Sequence, residues 1–134
     1  MDENAIRAAL QRYIDYSGVD QDISHEIYHE DAVLEFPQSG ERFEGIENFR
    51  EWRRIYPART DFEIRRLRGS GDLWVMELIV TYDSGSSMFG VSVFEFRGDK
   101  VIRETIYGGE AWEAPEWRAR WRSSRPIVDD SPAS

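Results

Sequence analysis

The stretch LWVMELIVTYDSGSSMFGVSVFEFRGDKVIRETIYGG, residues 73–109, decides the fold. Apolar and polar side chains alternate through three runs, 73–83, 87–97 and 100–109. Alternation with period two marks a strand, because successive side chains point to opposite faces. Turn residues separate the runs. Asp83-Ser84-Gly85 comes first, then Gly98-Asp99, where glycine supplies the positive φ of a tight hairpin. Three consecutive strands joined this way make a curved antiparallel sheet. Its apolar face carries a few acids and hydroxyls, with Glu77, Ser92 and Glu104 as the candidates. That combination points to a small-molecule pocket rather than a plain core.

Upstream, residues 60–68 read as a preceding strand, joined through Gly69-Ser70-Gly71-Asp72. Residues 46–56 place Ile46, Phe49, Trp52, Arg53 and Tyr56 on one helical period, and Pro57 ends that helix. Residues 31–36 form a strand halted by Pro37, and residues 41–44 a short return strand after Ser39-Gly40. A second helix is expected over 20–29, with Ile23, Ile27 and Tyr28 inward. The first helix covers 3–16: Ile6, Leu10, Tyr13 and Ile14 recur at steps of three and four, and Gly18 stops it. Downstream, 114–122 reads as a closing helix with Pro115 in its first turn. Residues 123–134, with Pro126, Asp129, Asp130 and Pro132, read as a disordered tail. The expectation is one α+β domain over 1–122, with helices on one side of a mostly antiparallel sheet.

Composition narrows the function classes. The chain is 40% apolar and holds five Trp, six Tyr and seven Phe, enough for a core whose cavity is lined by rings. A net charge of −9 argues against nucleic acid as a partner. Residues 118–125 hold four Arg and no acid, so the rest of the chain carries −13. There is no cysteine, hence no disulfide, thiolate nucleophile or Cys metal site. No stretch approaches eighteen apolar residues, and Met1-Asp2-Glu3-Asn4 has the wrong charge for a signal peptide. A soluble, cytoplasmic protein with no membrane partner is the expectation. His25 and His29 lie four apart on the expected second helix, but spacing supplies no third ligand. Neither a metal nor another cofactor is expected.

Three motifs carry a resemblance. Tyr28-His29-Glu30-Asp31-Ala32-Val33 leads into the first strand, Glu44-Gly45-Ile46 opens the third helix, and Gly98-Asp99-Lys100-Val101 forms the last hairpin. With the element order and Arg12-Tyr13-Ile14 in the first helix, they make residues 3–110 resemble the nuclear transport factor 2-like (NTF2-like) superfamily. Within it the chain looks most like the SnoaL-like polyketide cyclases and the ketosteroid isomerases. The resemblance implies a cone: a bent sheet and helices around a pocket open at one end, with the outer sheet face commonly forming a homodimer. It also implies roles. The isomerases' helix-one tyrosine, a hydrogen-bond donor to the substrate oxyanion, matches Tyr13. Their general-base aspartate falls on Phe36, and their oxyanion-hole aspartate on Ser92. A phenyl ring cannot take a proton, so ketosteroid-type isomerisation through that position is disfavoured. The superfamily also includes dehydratases, epoxide hydrolases and non-catalytic domains, so fold alone does not assign an activity.

Alternation names the remaining candidates. Ser92 shares a face with Phe94 and Phe96, and Glu104 with Ile102 and Ile106. Glu77 is flanked on its own face by Val75 and Ile79. Burial among aliphatic side chains raises a carboxyl pKa and suits the group to acid–base work near neutral pH. Glu104, Glu77 and Tyr13 are therefore the catalytic candidates; otherwise a glutamate faces outward and pairs with an arginine such as Arg65 or Arg103. Tyr28, Phe36, Trp52, Tyr56, Ser92 and Phe94 are the expected substrate-binding residues. Trp117 and Trp121, four apart, would dock on the domain, on a partner subunit or over the pocket.

Two readings follow. In one, an enzyme isomerises, cyclises, dehydrates or hydrolyses a hydrophobic, oxygenated small molecule, without cofactor, by acid–base chemistry. In the other, the same fold is a ligand-binding or dimerisation module without turnover. An outer sheet face made apolar by Val91 and Val93 would serve a homodimer, or a peptide, in either case.

Overall fold

The computed structural model describes residues 2–56 and 60–127. Helix α1 spans Glu3–Tyr16 and α2 Gln21–Ser24, followed by a 3₁₀ turn over His25–Ile27. Strands β1 (Tyr28–Phe36) and β2 (Glu41–Glu44) precede α3 (Ile46–Arg54). Then come β3 (Thr60–Ser70), β4 (Leu73–Tyr82), β5 (Ser87–Arg97) and β6 (Lys100–Glu110), and a 3₁₀ segment over Glu116–Trp121. The six strands form one sheet in the order β2-β1-β6-β5-β4-β3, with β1 parallel to β6 and every other pair antiparallel.

Helix α1 forms because Asp2 caps it, accepting from the Ala5 amide at 2.8 Å, and because Ile6, Leu10, Tyr13 and Ile14 recur on one buried face. That face lies on the concave side of the sheet with Leu34, Phe49, Trp74, Met76, Phe94 and Val101, all fully buried. Gly69 sits where β3 turns back into β4: a Cβ there would come within 2.4 Å of the Leu73 carbonyl oxygen, so only glycine fits.

The sheet bends at two bulges. Opposite Leu78 and Glu77, strand β3 presents Ile64 and Arg66, so Arg65 is an inserted residue. Opposite Glu95 and Phe96, strand β6 presents Arg103 and Val101, so Ile102 is inserted. The second bulge corrects the simple alternation expected for β6. It brings Val101 to the inner face together with Glu104, instead of leaving it on the outer face beside Arg103.

Two helices differ from expectation. The second does not run over 20–29. Asp20 caps one turn through the Asp22 and Ile23 amides, and the chain is already in strand by Tyr28. Burial of Ile27 and Tyr28 in the sheet core draws the segment out of the helix. His29 therefore lies in β1, and the expected helical pair with His25 does not exist. The closing helix over 114–122 is a 3₁₀ segment over Glu116–Trp121 with no buried residue, and without tertiary packing a short helix has little to hold it. The third helix ends at Arg54; Pro57, its expected terminator, lies outside the described residues, as does the expected tail beyond Ile127. Among the described residues, no helix is long and apolar enough to cross a membrane.

Candidate active site

Helix α1 and strand β6 carry the two residues around which the site is built. The stripe that buries α1 points Tyr13 inward, and the β6 bulge keeps Glu104 inward. The Tyr13 hydroxyl donates to Glu104, lying 3.1 Å from Oε1 and 3.2 Å from Oε2. Tyr28, at the start of β1, donates its hydroxyl to the same Oε1 and lies 3.1 Å from the Tyr13 hydroxyl. Arg53, on α3, donates from Nη1 to the Tyr28 hydroxyl at 3.0 Å and meets His25 Nε2 at 2.9 Å. His25 Nδ1 lies 2.7 Å from the Gln21 carbonyl oxygen. A carbonyl can only accept and a guanidinium can only donate, so the His25 proton sits on Nδ1 and the ring is neutral.

The chain Gln21–His25–Arg53–Tyr28–Glu104–Tyr13 satisfies its members inside an apolar shell. Glu104 is 0% exposed and stands opposite Phe94 on β5. A buried acid costs several kcal/mol unless donors surround it, and here two phenols do so. Tyr13 packs edge-on against Phe94, with centroids 5.9 Å apart, while Tyr28 stacks on His25 at 5.5 Å and meets Phe49 edge-on at 5.2 Å.

The electrostatics follow from this packing. Burial drives the Tyr13 hydroxyl up to about 12 and Tyr28 well above the ordinary tyrosine value, so both remain protonated donors at neutral pH. Burial, and then the charge of Arg53, pushes His25 down to about 4. Burial works against the charge of Arg53 too, but Tyr13, Tyr28 and Glu104 outweigh it and hold the guanidinium charged.

This cluster closes the deep end of an open cleft of about 1310 Å³, whose lining includes Tyr13, Ser92, Glu104 and Arg53. The walls are apolar. Phe36, Phe43 and Trp52 form a ring cluster with centroids 5.6 to 6.0 Å apart, and Phe62, Val80 and Ile106 continue it. Gly90 stands directly across from Gly108 in the lining, and the missing side chains leave room where the paired strands β5 and β6 face the cleft. Tyr56 and Tyr82 line it as well, and the Tyr82 hydroxyl is pushed up to about 12, first by its bond to Tyr56 and then by burial.

The sequence candidates divide. Tyr13 and Glu104 meet each other, and Phe36, Trp52, Tyr56 and Ser92 line the cleft. Tyr28 and Phe94, expected to touch substrate, stand behind the lining, where Tyr28 braces Glu104 and Phe94 packs under Tyr13. Glu77 does not join the site. It points to the outer sheet face and binds Arg65 Nη1 at 2.6 Å and Arg68 Nη2 at 3.0 Å. Its strand neighbours Trp74, Met76 and Leu78 take the inner face, which corrects the expected pocket position. Arg53 was not among the candidates, and His25 was weighed only as half of a metal pair with His29. The one signal was Arg53 on the apolar period of α3, a cation where the pattern calls for a core residue.

A family profile described as SnoaL-like domain matches residues 5–104. An NTF-2 like protein of unknown function from Burkholderia xenovorans LB400 is 40% identical over 92% of this chain and 98% of its own, with a TM-score of 0.85. A protein from Kribbella flavida DSM 17836, provisionally named a ketosteroid isomerase, is 25% identical over 95% of this chain and 94% of its own, with a TM-score of 0.81. An LEH-like epoxide hydrolase from M. tuberculosis shares the fold at 19% identity over 79% of this chain and 84% of its own, with a TM-score of 0.66. No curated protein matches the chain.

Proposed function

The chain belongs to the SnoaL-like domain family of NTF2-like proteins, and on that premise we propose that it is an acid–base enzyme acting on a hydrophobic, oxygenated small molecule. The reaction class is proton transfer at a carbon next to a carbonyl, as in isomerisation, aldol-type cyclisation or dehydration. The observation that carries this reading is Glu104: an acid with no solvent exposure, held by two phenols, in the lining of an otherwise apolar cleft.

Glu104 takes the proton from carbon, and the electron pair of the broken C–H bond moves onto the carbonyl oxygen. Tyr13, protonated and in the lining, turns its O–H toward that oxygen as negative charge grows there. Glu104 then returns the proton to the product. Tyr28 holds Glu104 from behind, Arg53 donates in turn to Tyr28, and its charge supplies the positive field in which the reaction's charge moves. The chain itself provides every group used. The names carried by the Kribbella and M. tuberculosis proteins lend support, since both describe small-molecule chemistry on this fold.

Two observations favour a second reading, a ligand-binding module without turnover. Phe36 occupies the position matched to the isomerase base, and both Glu104 oxygens already hold tyrosine hydroxyls. Native mass spectrometry of the protein from its own host, followed by turnover of the co-purified molecule, separates the two. The enzyme reading expects conversion by the unaltered chain and a loss of 100-fold or more in Glu104→Gln. Equal recovery of unconverted ligand from both proteins would leave only the module.

A further inference from the structure

We propose that the Trp/Arg arm that follows β6 closes the pocket of a second copy of this chain. After Glu110 the chain leaves the sheet and carries Trp112, Trp117 and Trp121 at 81%, 74% and 66% exposure. Three tryptophans left in water on one short segment form an apolar surface with no occupant in the single chain. Among the described residues, only local contacts are made within the arm. Arg122 donates from Nη2 to the Pro115 carbonyl at 3.1 Å and from its amide to the Ala119 carbonyl at 3.1 Å. The Arg120 guanidinium lies 4.3 Å over the Trp121 ring. An exposed surface of tryptophan and arginine has the composition of an interface anchor.

Charge identifies the occupant. Arg118, Arg120, Arg122 and Arg125 make the end of the arm basic, while the rest of the chain carries −13. Part of that negative charge lines the pocket, where, among the described residues, Asp15, Asp20, Asp22, Glu41 and Asp61 are exposed against a single exposed cation, Arg54, and where Phe62 and Val80 supply apolar wall next to Asp61. Acids beside apolar wall answer arginines interleaved with tryptophans. None of residues 112–127 lines the pocket of its own chain, so the arm is free to reach a neighbour. Two copies exchanging arms would each complete the other's pocket and exclude water from it. This goes beyond the proposed reaction and does not depend on it, because a binding module would be closed in the same way.

The chain has no cysteine, which makes the test clean. One copy carries Asp61→Cys and a second carries Ser124→Cys, and the two are mixed and treated with a short bis-maleimide. The expected product is a mixed dimer of twice the 15.7 kDa chain mass. Trp117→Ala/Trp121→Ala added to the arm-bearing copy should lower its yield at least tenfold, and raising ionic strength should lower it as well. Three results would overturn the proposal: no cross-link between copies, a cross-link indifferent to the tryptophans, or closure within one dilute chain carrying both cysteines. Sedimentation of the unaltered chain adds a fourth, since a chain that stays monomeric at the cross-linking concentration has no neighbour's pocket to close.

Discussion

The Tyr13 hydroxyl lies 3.1 Å from Oε1 and 3.2 Å from Oε2 of Glu104, joining the first helix to the last strand across 91 positions. The bond makes the first helix part of the site rather than a cover over it. It also concentrates the polar energetics of the core in one place, because Tyr28 shares the same acceptor. Glu104→Leu should therefore destabilise the fold by about 2–6 kcal/mol in urea denaturation, since two buried hydroxyls lose their acceptor at about 1–3 kcal/mol each. Glu104→Gln keeps one carbonyl acceptor and should cost less than half as much. Equal losses in the two variants would mean that the tyrosines do not depend on Glu104.

His25 should make stability depend on pH. Its value falls from 6.5 in the unfolded chain to about 4 in the fold, so between these limits the unfolded chain binds a proton that the folded chain refuses. Stability is then full above about pH 6.5 and declines as pH falls toward 4, by up to about 3 kcal/mol. The measurement is the difference in unfolding free energy between the unaltered chain and His25→Gln. It should narrow as pH drops through that window. Nitrogen NMR at pH 7 should show Nε2 without a proton; a protonated Nε2 would contradict the assigned tautomer.

Arg53→Met removes the donor to Tyr28 and the partner of His25 Nε2 together. A loss of about 2–3 kcal/mol follows from the two interactions. The His25 titration should also move up, because the Arg53 charge that helps to depress it is gone. Arg53→Lys keeps the charge and should leave the titration depressed. A His25 titration that ignores both substitutions would remove Arg53 from the account.

Glu77 provides the contrast. It lies on the outer face, paired with Arg65 and Arg68, and has no part in the cleft. Glu77→Gln should change stability by about 1 kcal/mol or less, as partly exposed ion pairs do, and should leave kcat unchanged. A loss of turnover comparable to that of Glu104→Gln would reverse the assignment of the two glutamates.

The difference between those glutamates shows what could and could not be read from the chain alone. The hairpins from Leu73 onward announce themselves by alternation and by Gly98, and Tyr13 falls on the apolar period of α1. Glu104 could be placed inside because its flanks Ile102 and Ile106 are more apolar than the opposite set. Strand β4 gave no such contrast, because Val75 and Ile79 beside Glu77 are as apolar as Trp74, Met76 and Leu78. What settles Glu77 is a pair of arginines on the next strand, positioned around a bulge that no pattern in β3 reveals. His25 and Arg53 were hidden for a related reason. Their contact spans 28 positions, and a helix expected over 20–29 set His25 beside His29, so that Arg53 on its apolar period had no visible partner.

Glu104 is proposed to take a proton from the carbon next to a carbonyl and to return it to the product, and solvent deuterium tests that step directly. The co-purified molecule is incubated in D₂O with the unaltered chain and with Glu104→Gln, and deuterium at the carbon next to the carbonyl is followed by NMR. Exchange well above the buffer rate with the unaltered chain, reduced 100-fold or more in Glu104→Gln while Kd stays within about threefold, is the predicted result. Exchange at the buffer rate in both, or equal exchange in both, would contradict it.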